Sequence, residues 1–416
     1  MASKFHELID RLCPGGVEYR KLGEIATVER GNGLQKSDFR PAGRPCIHYG
    51  QLYTKFNTVA ESTLTFVDEA TAAGLKSLNT GDLLMAVTSE NVEDVCKCIA
   101  WLGADGVVVG GHTAIIRHTQ DAKYLAYWFQ TQDFFVQKKR LAHGTKVIEV
   151  TPKNLLDVLI PVPPLEIQRE IVQILDNFAE LTAELTAELT AELEKRKKQY
   201  EYYRRSLLGG VERGTLNVER WPTVKLGDVC DCLDGKRIPL SSAQRRDRKG
   251  EYRYFGAQGV IDYIDDYIFD GCYLLVAEDG ENLRSRKLPI AQMVEGRYWV
   301  NNHAHVLSET PKAALRYICY FLNSLDLTLY VTGAAQPKLN QANLNAIEIP
   351  LPPLAEQKRI VGILDRFDRL CNDLTAGLPA EIAARKKQYE YYRDKLLSFP
   401  PSPRGCGVAG NRKGMA

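Results

Sequence analysis

Apolar residues recur at every third or fourth position through two long stretches of this chain. The first stretch places Ile167, Ile171, Ile174, Leu175, Phe178, Leu181, Leu185, Leu189 and Leu193 at that spacing. The second does the same with Ile360, Val361, Ile363, Leu364, Phe367, Leu370, Leu374, Leu378 and Ile382. Such spacing lays a stripe along one face of a helix. Pro161, Pro163 and Pro164 precede the first stretch, and Pro350, Pro352 and Pro353 precede the second. Proline is tolerated before and at a helix start but not inside it. Gly209 and Gly210 supply a C-terminal stop for the first helix. A helix of about 43 residues is roughly 65 Å long. A narrow stripe on so long a helix needs a partner helix, and the other stretch is the obvious one, packed as a coiled coil. The chain passes through a whole domain between the two, so an antiparallel pair is expected.

The two stretches are copies of one another. Residues 161–208 align with 350–397 without a gap, at a constant offset of 189, with 29 identities in 48 positions. Nine of those form the unbroken run RKKQYEYYR, Arg196–Arg204 and Arg385–Arg393. Duplication at long spacing implies a pseudo-two-fold molecule suited to a two-sided partner. The first copy carries a finer repeat, TAEL three times over Thr182–Leu193. Each unit adds about 6 Å of helix, and its four-residue period makes the stripe drift round the helix. The second copy has Asn372, Asp373, Gly377 and Pro379 there, which predicts a kink or interruption near Pro379.

The duplication extends beyond the helices. Lys21–Ala26 (KLGEIA) matches Lys225–Cys230 (KLGDVC), and Asn154-Leu155 and Asn343-Leu344 close the two segments alike. Between these ends the segments share little alignable sequence. Both read as mixed α/β domains. Short apolar runs at 82–87, 106–109, 272–277 and 298–300 suit buried strands, and 122–130 and 313–323 read as amphipathic helices. The expected organisation is an N-terminal segment 1–16, a variable domain 17–160, a helix 161–209, a second variable domain 210–349, a helix 350–398 and a disordered tail 399–416. Phe5–Leu12 is expected to form a short helix.

The PxPPLxxQ starts at 161–168 and 350–357, the ILD at 174–176 and 363–365, and the RKKQYEYYR runs resemble the specificity subunits of type I restriction-modification enzymes, over about residues 17–398. The TAEL units resemble those of the type IC group. The resemblance implies an α/β fold: two target recognition domains joined by two long antiparallel coiled-coil helices. It implies recognition of a bipartite, asymmetric double-stranded DNA site. The number of TAEL units would set the unread gap between the halves. It also implies two modification (methyltransferase) subunits that supply S-adenosylmethionine-dependent adenine methylation, and restriction/translocase subunits that use ATP and Mg2+. This chain would bind none of these cofactors. Two domains on a rigid spacer can read major-groove faces about one helical turn, ~34–36 Å, apart.

Composition sets outer limits. At 416 residues the chain holds more than one domain, and its net charge of +2 is modest for a DNA binder. Local basic clusters are the candidate phosphate contacts. They are Arg245, Arg246, Arg248 and Lys249 beside Tyr252, Tyr254 and Phe255; Lys138, Lys139 and Arg140; and Arg284, Arg286 and Lys287. Any such run can equally be a solvated face. Base-reading candidates are Asn301, Asn302 and His303 at a strand end, and His112 at the equivalent place in the first domain. Weaker ones are Gln292, Lys236, Arg237, Asn91 and Gln51. Arg196, Lys197, Tyr200 and Tyr203, with Arg385, Lys386, Tyr389 and Tyr392, suit subunit docking, because Arg and Tyr are common interface anchors.

No catalytic motif emerges. The Pro163-Pro164 and Pro352-Pro353 pairs lack the flanking residues of an adenine methyltransferase, and Asp234-Gly235-Lys236 is not a P-loop. Cys96/Cys98 and Cys230/Cys232 have no second pair to complete a zinc site and read as reduced structural cysteines. No signal peptide or membrane span is present, so a cytoplasmic protein is expected, and the missing catalytic motifs imply a non-catalytic reader. The related alternative is an orphan methylation system without a nuclease. The alternative from another class is a coiled-coil assembly protein with no DNA role.

Overall fold

The computed structural model describes residues 2–208, 221–333 and 336–400. Gly209, Gly210 and the tail beyond Pro400 lie outside the described residues. The helices of seven or more residues are α1 (Ala2–Leu12), α2 (Ala122–Trp128), α3 (Gln132–Leu141), α4 (Leu165–Leu208), α5 (Leu315–Ser324), α6 (Leu354–Asn372) and α7 (Leu378–Leu396).

The chain divides into two compact units. One comprises residues up to Ala187 together with those from Ala383 on; the other runs from Glu188 to Ile382. The cut falls within the long helix α4, so each unit combines a globular domain with helix from both repeats.

In the first unit a five-stranded sheet (26–30, 113–118, 83–86, 98–101, 59–60) accompanies a four-stranded one (65–67, 44–47, 107–109, 76–78). The second unit has two four-stranded sheets: 231–232, 304–308, 273–277, 291–294 and 259–264, 249–256, 297–300, 269–270. The two units share a parallel pair at the same place, Val107–Val109 on Arg44–Ile47 and Arg297–Val300 on Lys249–Gly256, and the first unit has a second, Val59–Ala60 on Cys98–Trp101. The matched entry segments form matched strands. Tyr19–Lys21 pairs antiparallel with Leu159–Pro161, and Thr223–Lys225 with Glu348–Pro350. The strand leading into each domain is thus hydrogen-bonded to the strand leading out into the long helix.

Within each unit the helices run antiparallel. Ile167, Ile171 and Leu175 share a core with Leu397 and Phe399, and Phe178 meets Tyr392. In the other unit Tyr200 and Tyr203 stack on Phe367, and Leu193 shares a core with Cys371, Leu378 and Ile382. The second repeat is interrupted, but the break lies at 373–377, before Pro379. Asp373 Oδ1 accepts from the N–H groups of Thr375 and Ala376 and from the Thr375 hydroxyl, closing a tight turn. Pro379 then occupies the first turn of α7, where its missing N–H has no helical partner to lose.

The expected stripe needs correction in both copies; in the second, Leu374 lies in the turn between α6 and α7 and is 80% exposed. In the first, Leu181, just before the TAEL region, and Leu185 at its first unit are 62% and 37% exposed, whereas Leu193 is buried. The four-residue period carries these leucines off the packed face.

Candidate nucleic-acid interface and its helical anchor

The helix starts anchor each domain through buried glutamines. Gln168 and Gln357 are both fully buried. Gln168 Oε1 accepts from the Asp121 N–H at 2.9 Å, and its Nε2 donates to the Pro163 carbonyl at 2.7 Å and to Gln120. Gln357 Oε1 accepts from the Ala314 N–H at 2.9 Å, and Nε2 donates to the Pro352 and Lys312 carbonyls. A buried amide in place of an apolar residue is tolerable only because every polar atom is satisfied. Replacing Gln168 or Gln357 by alanine should cost the unit concerned about 2–3 kcal/mol, since a backbone N–H is left unsatisfied. Urea unfolding checks this; an unchanged midpoint would show that water replaces the amide.

A further duplicated pattern emerges on α2 and α5. Tyr124 and Tyr317 donate to the Pro161 and Pro350 carbonyls, each at 2.8 Å. Tyr127 and Tyr320 donate to Asp176 and Asp365, the aspartates of the ILD motifs. Lys123 and Arg316 pair with the same carboxylates at 2.8 and 2.7 Å. The spacing K/R-Y-x-x-Y is therefore a shared signal inside segments that otherwise look unrelated. Sequence reading missed it because its offset, 193, differs from that of the helices.

The RKKQYEYYR runs face inward as much as outward. In each unit the run lines a groove against its own domain. One groove, about 690 Å³, involves Lys386, Tyr389, Glu390 and Arg393; the other, about 440 Å³, involves Lys197, Tyr200, Glu201 and Arg204. Tyr200 is buried, and Arg196 is engaged by Glu192 and Gln199. Tyr389 is mostly buried beside Tyr127. Arg385 bonds Gln388 within its own helix. Tyr200 and Tyr389 thus pack inward, while the bonds of Arg196 and Arg385 named here stay within their own helices. Lys197 and Lys386 remain exposed, and Tyr203 and Tyr392 are 38% and 39% exposed. Tyr202 and Tyr391, which the sequence reading did not select, are the most exposed tyrosines of the runs.

The fold buries one candidate DNA contact and engages several others in bonds of its own. Lys138 is buried, and its Nζ donates to the Glu93 and Val95 carbonyls at 2.8 and 2.7 Å. Burial pushes its pKa down. Lys139 and Arg140 beside it stay exposed. Arg286 donates to the Leu322 and Asn323 carbonyls, and Arg284 to the Gly333 carbonyl. The 245–249 cluster is neutralised by facing acids. Arg245 and Lys249 pair with Asp262, and Arg248 with Asp265 and Asp266. Arg245 and Arg248 lie over the Tyr254 and Trp299 rings at 5.2 and 4.9 Å. Arg246 is exposed.

Arg237 is half-buried and held in a charged network. It pairs with Asp234 at 3.1 Å and Glu278 at 2.7 Å. Lys338 also pairs with Glu278, and His305 Nδ1 meets Asp234 at 2.5 Å. Burial alone would lower the His305 pKa. Hydrogen bonds to Asp234 and Cys232 and the Asp234 charge outweigh it and raise the pKa to about 9. Burial likewise pushes Asp234 up, but His305, the Val306 N–H and Arg237 hold it below its ordinary value. Cys232, Asp234 and His305 lie close enough to hold a metal ion. The group does not fit one: His305 Nε2 is spent on the Leu339 carbonyl, Nδ1 on Asp234, and Arg237 supplies the positive charge. Lys236 is exposed at the rim of this network.

The remaining polar candidates gather at strand ends. In the first unit His112 lies 4.8 Å from the Tyr49 ring, which in turn lies 4.5 Å from His48. Gln51 is occupied locally, capping at the His48 N–H and donating to Thr65. Asn91 is closed onto Asp94. In the second unit Asn301 is buried and accepts from the His303 N–H, a turn-forming role, while Asn302 and His303 are exposed. Gln292 is half-buried in the groove lined by Tyr200.

A duplicated α/β domain on duplicated helical anchors, with dissimilar exposed loops, defines a two-headed recognition scaffold. The family model for the type I restriction modification DNA specificity domain matches twice, over residues 14–195 and 218–384. The chain belongs to this family, whose members serve as recognition subunits rather than catalysts. It is 32% identical over 252 residues to a putative type I specificity subunit of Mycoplasma pneumoniae, covering 59% of this chain and 98% of that one. It is 33% identical over 307 residues to the specificity subunit of the Escherichia coli type I restriction enzyme EcoR124I/EcoR124II, covering 67% and 71%. Its fold is similar to a chain in a solved type I R-M system (TM-score 0.66, 18% identity, covering 92% and 98%). It is also similar to the HsdS subunit of Thermoanaerobacter tengcongensis (TM-score 0.56, 19% identity, covering 93% and 97%). No helix among the described residues is long and apolar enough to cross a membrane.

Proposed function

We propose that this chain reads a bipartite, asymmetric DNA site, one half per unit, as the non-catalytic scaffold of a multisubunit enzyme. The observation that carries this reading is the contrast within each unit. The helix anchor recurs in its main bonds, from Gln168 to Gln357 and from Tyr127–Asp176 to Tyr320–Asp365, while the loops at the strand ends differ. Two constant scaffolds with two dissimilar faces suit a target whose halves differ.

The partners follow from the same duplication. Exposed Lys197, Tyr202 and Tyr203, and Lys386, Tyr391 and Tyr392, present one chemistry twice. They offer two copies of a modification subunit equivalent docking points. S-adenosylmethionine would be held by those subunits. ATP and Mg2+ would be held by restriction subunits, and the assembly would work on DNA in the cytoplasm. Lys139, Arg140, Lys236 and Arg246, basic and exposed, remain available to phosphates.

Co-expression with the cognate modification subunit in a methylation-free host, followed by single-base mapping of N6-methyladenine, tests the reading. A two-part motif with a fixed unread gap is the expected result. An assembled complex that methylates nothing would reduce the chain to a docking scaffold.

A further inference from the structure

Each unit presents one histidine in the same setting. His112 and His303 stand immediately before the strands Thr113–His118 and Ala304–Ser308, 191 residues apart. The His112 carbonyl accepts from the Val87 N–H at 3.0 Å, and the His303 carbonyl from the Glu278 N–H at 2.9 Å. Val87 and Glu278 are again 191 residues apart. The next residue along holds the ring: Thr88 Oγ1 lies 2.9 Å from His112 Nδ1, and Asp279 Oδ2 lies 2.5 Å from His303 Nδ1. Both histidines are exposed. The flanking residues are unlike, Gly110-Gly111 in one unit and Asn301-Asn302 in the other. What recurs is the backbone bond, the Nδ1 contact and an outward ring. A structural histidine needs no such exposure; buried His305, with both ring nitrogens bonded, is the contrast within the same unit.

We infer that His112 and His303 read a base edge, one in each half-site, that Thr88 and Asp279 position each ring, and that Asp279 selects the tautomer of His303. This rests on the recognition function proposed above. An ionised carboxylate only accepts, so the Asp279 contact places a hydrogen on His303 Nδ1. In the neutral ring Nε2 is then an acceptor. Its partner in the major groove is a donor, the exocyclic amine of adenine or cytosine. The Thr88 hydroxyl donates or accepts, so His112 takes the tautomer its base demands. The two half-sites are thus read by one device with two settings.

The test uses the assembled complex and its methylation motif, read for the wild type and for His112→Ala, His303→Ala and Asp279→Thr. The last copies the first unit's pair and spares the ring, so it remains informative if removing the histidine disturbs the loop. His303→Ala should relax one base position in one half-site, with selectivity there falling about tenfold, the size of one lost base-edge contact. The other half-site and the gap should not change. His112→Ala should do the same in the opposite half. Asp279→Thr should alter preference at the position that His303→Ala relaxes, an effect that mere loop support would not produce. Unchanged half-sites in all three variants, or changes in both halves from one substitution, would overturn the inference while leaving bipartite reading intact. Absence of any bipartite motif in the wild type would instead overturn the proposed function.

Discussion

Replacing His305 by leucine should destabilise the second unit by about 3–5 kcal/mol, the usual cost of removing one partner from a buried charged network. The side chain is 1% exposed, and its two nitrogens are spent on Asp234 and the Leu339 carbonyl. Without it Asp234 stays buried with Arg237 alone to balance it, while Glu278 still faces Arg237 and Lys338. The pH dependence has a definite sign. The folded pKa of about 9 stands above the ordinary 6.5. The contribution is therefore fully present below pH ~6.5 and is lost as pH rises through ~9, about 3 kcal/mol in all. Asp234 works in the opposite sense: its folded pKa is held below the ordinary 3.8, so its contribution is present above that value and lost on acidification. Thermal unfolding of the wild type and of His305→Leu across pH 6–10 checks the size and the sign of the His305 contribution. The difference between them should shrink toward the alkaline end; a constant difference would mean that His305 is neutral in the fold.

Deleting one TAEL unit should shorten the unread gap of the DNA target and leave both half-sites as they were. Helix α4 is continuous from Leu165 to Leu208, so four residues fewer shorten it by about 6 Å and turn its far end by about 40°. Six ångströms is more than one base-pair rise. A loss of one or two unread pairs is expected, with DNA bending or twist absorbing the remainder. The segment tolerates the change because Leu181 and Leu185 are exposed and bury no core that would be lost. The half-sites should survive because His112, His303 and the strand ends that carry them lie outside the helix. Methylome mapping of the deletion variant reads gap and half-sites separately. Altered half-sites with an unaltered gap would reverse the division of labour between helix and domains.

Much of the scaffold was legible in the chain because it is periodic or repeated. The 3.6-residue stripe located the long helices, and the proline runs marked their starts. The PxPPLxxQ duplication flagged Gln168 and Gln357 before any contact was known, and short apolar runs such as Leu83–Ala86 and Tyr273–Ala277 became buried strands. These features depend on local propensity and on burial along one face, which neighbouring residues declare by themselves. Pairings across long separations were not legible. Nothing near Arg237 announces Glu278, 41 residues away, nor does the basic run at 245–249 reveal that Asp262, Asp265 and Asp266 fold back to neutralise it. Lys138 read as part of a basic cluster until the fold buried it under two carbonyls. Charge along a sequence is additive, but availability to a phosphate depends on which acids the sheet register brings opposite. The sequence by itself therefore determined the duplicated plan, the helices and the family. Only the tertiary structure decided which polar side chains are spent inside the fold and which, His112 and His303 among them, are left facing out, because that choice is made by strand pairing between residues far apart in the chain.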